Sequence, residues 1–348
     1  MFNFLIPGEL TKKRWKQFRQ TRRAYYSLLI LGSAFLLSLF AELWIGDKPL
    51  LMGYKGNLYM PLLKFYPQSE FGQAYATQTD YQELARDSSF KTQGGWMLWP
   101  LIPQGPLQPH LNLPGNPPHP PSTEHWLGTD ASARDVLARL VYGFRLCMLF
   151  SLLLTFISSL LGILIGGVQG YLGGWPDVIL QRCIEIGVSL PMLYIVILLS
   201  SIYGRGFWLL LLVSALFSWV GLSYYMRSEF FRLRSQTWVK AAKVLRLGPT
   251  RIFFKHVLPN GLTPVITFLP FALIGGISSL TALDFLGFGL QPPTPSWGEL
   301  MKQALDNLYA PWLALSAVGA LFVTLLLATF IGEGIREAFD SRLDQGSS

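Results

Sequence analysis

The sequence predicts an all-α polytopic membrane protein with six transmembrane helices, and three observations carry that prediction. The 348 residues are 51% hydrophobic and only 14% charged, too few polar groups to cover a soluble globule of this length. The apolar residues gather in windows 24–41, 146–176, 186–204, 206–226, 257–283 and 311–332, none holding an Asp, Glu, Lys or Arg. Each window is about long enough to cross a hydrocarbon core of roughly 30 Å, which takes about 20 helical residues. Barrel strands would alternate lipid-facing and lumen-facing side chains; these windows are continuously apolar, so helices are expected.

The chain opens with a basic segment, 1–24, carrying Lys12, Lys13, Arg14, Lys16, Arg19, Arg22 and Arg23. A second cluster, Arg227, Arg232, Arg234, Lys240, Lys243, Arg246, Arg251 and Lys255, lies between the fourth and fifth windows and is opposed there only by Glu229. Cytoplasmic loops concentrate Lys and Arg, so both clusters are expected inside, as is the tail 334–348. The net charge of +8 then follows from topology and contact with anionic lipid, and no nucleic-acid partner is expected. The first span, 25–44, exceeds the 7 to 15 residues of a typical signal-peptide core, and Glu42-Leu-Trp-Ile-Gly-Asp47 offers no small-x-small cleavage site, so it reads as a retained anchor.

Segment 45–144 is expected on the outer, periplasmic side. It has a polar part dotted with Tyr54, Tyr59, Phe65, Tyr66, Phe71, Tyr75, Tyr81, Phe90, Trp96 and Trp99, then a proline-rich stretch over 100–121 that favours extended chain. The aromatics admit two readings, a partly ordered spacer or a docking surface for an external partner. His119, Glu124 and His125 lack a cysteine or a further convergent carboxylate, so no metal site is expected. Cys147 and Cys183 fall a membrane thickness apart in this topology, which excludes a disulfide.

Residues 145–333 form the five-helix core. Gly162, Gly166, Gly170 and Gly174 recur every four residues, the spacing that puts small residues on one helix face for close packing. Pro191, Pro259, Pro264 and Pro270 permit kinks, and Gly275 and Gly276 soften the fifth span. Arg182 and Glu185 read as interface anchors; Asp284, near the outer end of the fifth span, has no role assigned by its position. All four histidines, at 110, 119, 125 and 256, lie outside the membrane interior, which argues against a proton relay or intramembrane proteolysis. No Gly-Lys pair occurs, so the phosphate cradle of a P-loop is absent.

The informative segment is the basic loop 227–260. Trp238-Val-Lys-Ala-Ala-Lys-Val-Leu-Arg-Leu-Gly248-Pro-Thr-Arg-Ile-Phe-Phe-Lys-His-Val-Leu-Pro-Asn260 predicts a short helix over 240–245, a Gly-Pro turn, and a second apolar and basic stretch. The string resembles the cytoplasmic coupling motif of permease subunits of ATP-binding-cassette importers: Glu-Ala-Ala, a Gly four residues after the second Ala, and later Val-Leu-Pro. Ala241, Ala242, Val257, Leu258, Pro259 and Asn260 match in register, while Lys240 replaces the Glu and Arg246 the Gly. His125 to Gly143 and Asp284 to Gly298 are similar to segments of the dipeptide and oligopeptide branch. Ala133, where many such proteins have Gly, the long outer insertion and Lys240 are closer to the microcin C and peptide transporter permeases.

The resemblance implies a type I importer fold in a bacterial inner membrane, both termini cytoplasmic. It implies a second homologous permease, ATPase subunits that bind ATP and Mg, a periplasmic peptide-binding protein and a peptide substrate. This chain itself would then be no enzyme and would hold no cofactor. Lys240, Ala241, Ala242, Leu245, Arg246, Gly248 and Pro249 are the expected coupling residues. Two alternatives compete: an ion-coupled secondary transporter, which would show inverted repeats and midplane charges, and a non-transporting scaffold, which would leave the kinked spans unexplained.

Overall fold

The computed structural model describes residues 9–71 and 77–339, so Tyr75 and the tail beyond 339 lie outside the described residues. In chain order the helices and strands are α1 (Glu9–Gln20), α2 (Arg22–Leu39), β1 (Leu51–Tyr54), β2 (Asn57–Tyr59), α3 (Tyr81–Arg86), α4 (Ser88–Thr92), β3 (Trp96–Leu98), α5 (Val136–Leu172), α6 (Gly174–Val188), α7 (Met192–Tyr203), α8 (Phe207–Arg234), α9 (Thr237–Val244), α10 (Pro249–Ile252), α11 (Leu258–Asn260), α12 (Thr263–Phe285), α13 (Trp297–Asp306) and α14 (Pro311–Phe339). Helices α5, α8, α12 and α14 are each long and apolar enough to cross a bilayer. The expected third span is corrected: α6 and α7 meet at a 68° bend, and counting that bent pair as one gives up to five spans. Pro191 stands at the break, where it supplies no N–H to a continuing helix. Helix α2 begins with Arg22 and Arg23 and is not among the four long apolar helices.

The chain divides into two compact units. In the first, made of 1–33, 147–291 and 321–348, α5 packs on α8 through the predicted glycine face. A Cβ at Gly162 would stand 3.0 Å from the Leu222 Cβ and the Trp219 carbonyl oxygen; one at Gly166 would strike the Ser223 backbone, and one at Gly170 the Arg227 carbonyl. Gly174 does not belong to this face: α5 ends at Leu172, and Gly174 opens α6 at φ +64° with open space around it. Asp177 of α6 accepts two bonds from the Arg227 guanidinium at 2.5 and 2.7 Å. Gly276 lets α12 approach α5, where the Ser151 hydroxyl donates to the Leu273 carbonyl at 2.5 Å; Gly275 faces open space. Helix α1 docks through Phe18, packed with Ala24 and Ala338, on the end of α14.

The second unit comprises 34–146 and 292–320, and it corrects the all-α expectation. Three short strands form an antiparallel sheet in the order β2-β1-β3, with Met52 opposite both Tyr59 and Met97. The aromatics are also corrected: Tyr54, Phe71, Tyr81 and Phe90 are buried with Met52 and Leu84 as a core of their own, Tyr54 stacking on Phe90 at 5.3 Å. Among the described aromatics of the segment, Phe65, Trp96 and Trp126 remain more than half exposed. Asp80 and Asp87 cap α3 and α4 by accepting backbone N–H bonds, the role short acceptor side chains play at helix starts. Residues 99–135, which include the prolines, hold no helix or strand.

A buried ion network closes this unit. Asp135 caps α5 by accepting the Ala138 N–H at 2.8 Å, which starts that helix ten residues ahead of its charge-free window. Asp130 accepts from the Arg134 side chain at 2.8 Å and lies 3.2 Å from Arg139 Nε. Arg139, 0% exposed, also donates to Glu299 of α13, which receives Arg134 at 3.1 Å. Ser296 caps α13 through the Glu299 N–H, and the Trp297 indole donates to the Leu140 carbonyl at 3.0 Å. The string 125–143 and the end of the string 284–298 with the residue after it, far apart in sequence, thus meet through 139, 140, 297 and 299.

Two substitutions test these contacts. Gly166→Ala should destabilise the detergent-solubilised protein by about 1–3 kcal/mol, since a methyl there overpacks a helix contact, whereas Gly221→Ala, with nothing within 4 Å of a new Cβ, should leave the melting temperature unchanged. Arg139→Met leaves the buried Asp130 and the part-buried Glu299 to share the Arg134 guanidinium and should cost about 3–5 kcal/mol, read as a lower midpoint in thermal unfolding.

Candidate functional site

The segment joining α8 to α12 is a small folded body on the end of α8. Val239 and Ala242, three residues apart on α9, turn inward onto a cluster of Leu222, Met226, Phe230 and Leu233 from α8 and Ile252, Phe253 and Val257 from the following turns. That placement leaves Lys240, Ala241, Val244 and Leu245 outward; Val244 is 82% and Leu245 74% exposed. The seven predicted residues are therefore divided: Ala242 is part of the core, and Val244, outside the predicted set, is the most exposed apolar side chain of the tip. The signal for Val244 was present in the helical spacing, since it follows Ala241 by three positions on the face opposite Val239.

The turn after α9 is made by Arg246 rather than by Gly248. The Leu247 N–H bonds the Ala242 carbonyl at 3.2 Å and the Arg246 N–H bonds the Lys243 carbonyl at 3.0 Å. That crossed pair is a Schellman cap, which needs a left-handed residue at the position after the helix, and Arg246 takes it at φ 54°. Gly248, at φ −59°, instead precedes α10, and Pro249 occupies the first turn of that helix, where its missing N–H loses nothing. A π-type turn, Phe253–Val257, follows α10, and Asn260 Nδ2 donates to the His256 carbonyl at 2.7 Å. The Tyr171 hydroxyl at the end of α5 reaches the Pro249 carbonyl at 3.5 Å.

The charge of this body is one-sided. Lys240, Lys243, Arg246, Arg251 and Lys255 are exposed, and Glu229 is already held by Arg232 at 2.5 and 2.9 Å. The exposed apolar side chains of Val244 and Leu245 are thus accompanied in this body by five exposed cations.

The remaining candidates have structural partners. His125 Nδ1 lies 2.8 Å from Asp135 Oδ2, and the backbone N–H of His119 donates to the Thr129 hydroxyl. The His110 ring lies 4.7 Å from that of His125 at a tilt of 55°; burial, then the neighbouring His125, holds its pKa below the usual histidine value. Among the described residues no group of three or more His, Cys, Asp or Glu is placed to hold a metal ion. Asp284 accepts the Leu290 N–H at 2.6 Å and so pins the turn after α12. Arg182 and Glu185 pair with each other at 2.5 Å on α6, both exposed. Cys147 is buried and Cys183 exposed, both free thiols.

The family model described as "Binding-protein-dependent transport system inner membrane component" matches residues 158–345, which include the whole α8–α12 segment. The inner membrane ABC transporter permease protein YejE of Escherichia coli K12 is 45% identical over 333 residues, covering 95% of this chain and 97% of that protein. The peptidoglycan transport system permease protein YejE of Agrobacterium fabrum is 42% identical over 95% of this chain and 93% of its own length. The oligopeptide transport system permease protein OppC of Haemophilus influenzae is 35% identical over 63% of this chain and 70% of its own. The chain belongs to the family of binding-protein-dependent transport system inner membrane components, the helical permeases of ABC transporters.

Proposed function

We propose that the chain is the permease subunit of an ATP-dependent peptide importer and forms half of a translocation path shared with a second, homologous permease. The likeness to permeases whose names specify peptidoglycan and oligopeptide transport supports a peptide or peptide-containing substrate, microcin C-like peptides among them. In this reading α2 is a span, giving six with the bent pair counted as one; both termini and the α8–α12 body face the cytoplasm, and 45–144 faces the periplasm and its peptide-binding protein. The concentration of Lys and Arg at the two chosen ends supports that orientation.

The observation that carries the reading is the braced, outward-facing tip of Ala241, Val244 and Leu245 with the Arg246 cap. A separate ATPase subunit, holding ATP and Mg, grips the tip; its closure displaces α9 and, through the buried contacts of Val239 and Ala242, tilts α8 between inward- and outward-open arrangements. Lys240 and Arg246 border the contact, Gly248 and Pro249 start the return helix, and the five exposed cations suit an acidic rim. Binding of the ATPase at this tip need only favour one arrangement over the other by a differential affinity.

The test exploits the two neighbouring alanines. Ala241→Asp puts a carboxylate on the exposed side; membrane insertion and melting temperature should be unchanged, while uptake of labelled peptide in cells falls at least about tenfold, the loss of roughly 1.4 kcal/mol of coupling. Uptake equal to the unmodified protein would remove the assignment. Ala242→Asp, which buries the charge in the core, should instead lower the amount of folded protein.

A further inference from the structure

Helix α1 has a face that neither the core nor the proposed transport cycle uses. One side of its twelve residues is committed to the end of α14: Phe18 packs with Ala338, Gln17 Nε2 donates to the Glu337 carbonyl at 3.3 Å, and Arg14 lies 4.3 Å over the Phe339 ring. Thr21, next in the chain, donates to Glu337 Oε2 at 3.1 Å. Lys12, Lys16 and Arg19 form a stripe at four- and three-residue spacing, all exposed, with Arg19 also 5.3 Å over the Tyr25 ring and Trp15, 51% exposed, stacked on Phe18 at 5.6 Å. Exposed Arg22 and Arg23 continue that stripe into the first turn of α2.

The position of the stripe names its partner. Only Thr21 separates α1 from α2, and the Thr21 N–H bonds to Gln17 and Phe18 while the Tyr25 N–H bonds to Thr21, so the hydrogen-bond ladder crosses the junction. With α2 read as a span, on which this inference rests, the junction sits at the depth of the lipid headgroups. Cations grouped about an indole at that depth match the chemistry of an anionic phospholipid surface.

We propose that α1 is a lipid-responsive clamp: anionic headgroups bind Lys12, Lys16, Arg19, Arg22 and Arg23, and the helix so held fixes the end of α14 through Phe18, Gln17 and Thr21. Each basic side chain near an anionic leaflet strengthens association about fivefold, so three act together by roughly a hundredfold. The attraction is screened beyond about 8 Å at physiological salt.

The experiment places the full chain in nanodiscs of phosphatidylcholine alone or mixed with phosphatidylglycerol and measures amide hydrogen exchange along it. Exchange over 9–21 should slow about tenfold or more when phosphatidylglycerol is present, with slowing at 333–339 alongside it, and both effects should vanish in high salt and in K12Q/K16Q/R19Q. Equal exchange in the two lipids with α2 protected overturns the clamp alone. So does slowing that survives in the triple variant, or that needs an added protein rather than the anionic lipid. Free exchange through α2 in both lipids removes the span reading and the clamp with it.

Discussion

Everything at the working end of this molecule depends on how closely α5 and α8 approach. Between helices in lipid there is no water to exclude, so association rests on packing and on the few polar bonds available. Gly162, Gly166 and Gly170 supply that packing by letting the α8 backbone at Trp219, Ser223 and Arg227 lie against α5 itself. Asp177 then fastens α6 to the same level of α8 through Arg227. Below that level α8 carries Phe230 and Leu233, the residues on which α9 and the π-type turn are seated. A displacement of α9 is therefore not absorbed in a loose loop: it acts on a helix clasped along most of its length.

The spans were legible because charge-free runs of this length have one cheap solution, a helix in a membrane. Direction within a run was not. Hydropathy reads 186–204 as continuous; Pro191 marked a place for a kink, but nothing in the apolar content set its size at 68°. The glycine face was legible as far as the periodicity lasts, and Gly174 fell out because the helix had already ended. Segment 45–144 was the least legible. Tyr54, Phe71, Tyr81 and Phe90 follow no helical or strand period, and scattered aromatics look the same in a sequence whether they await a partner or bury one another.

In the segment joining α8 to α12, sequence likeness named the neighbourhood and physics sorted it. Two adjacent alanines carry the motif, yet a helix puts them on different sides, one in the core and one in solvent. The departures from the family pattern are resolved in the same terms. Arg246 and Ala133 each stand where relatives of this kind favour glycine, and each adopts a left-handed backbone, φ 54° and 58°. A residue with a Cβ pays about 1–2 kcal/mol there. The cap bonds at Leu247 and Arg246 and the bonds of the 130–134 turn to Asp130 hold the geometry regardless. The Lys240 side chain is exposed while its N–H bonds the Gln236 carbonyl at the start of α9, so its replacement of an acidic residue changes the charge met by whatever approaches the tip.

The Arg139 to Glu299 pair sets an order on biosynthesis. The partners are 160 residues apart, and a ribosome moving at about 5–20 residues per second delivers the second some 8–30 seconds after the first. Through that interval Arg134 and Arg139 are already threaded at the head of α5 with Asp130 as their sole described carboxylate partner, and the second unit stays open. Its closure is consequently a late event in the life of the nascent chain, since Asp130 alone must serve both guanidinium groups until Glu299 of α13 arrives.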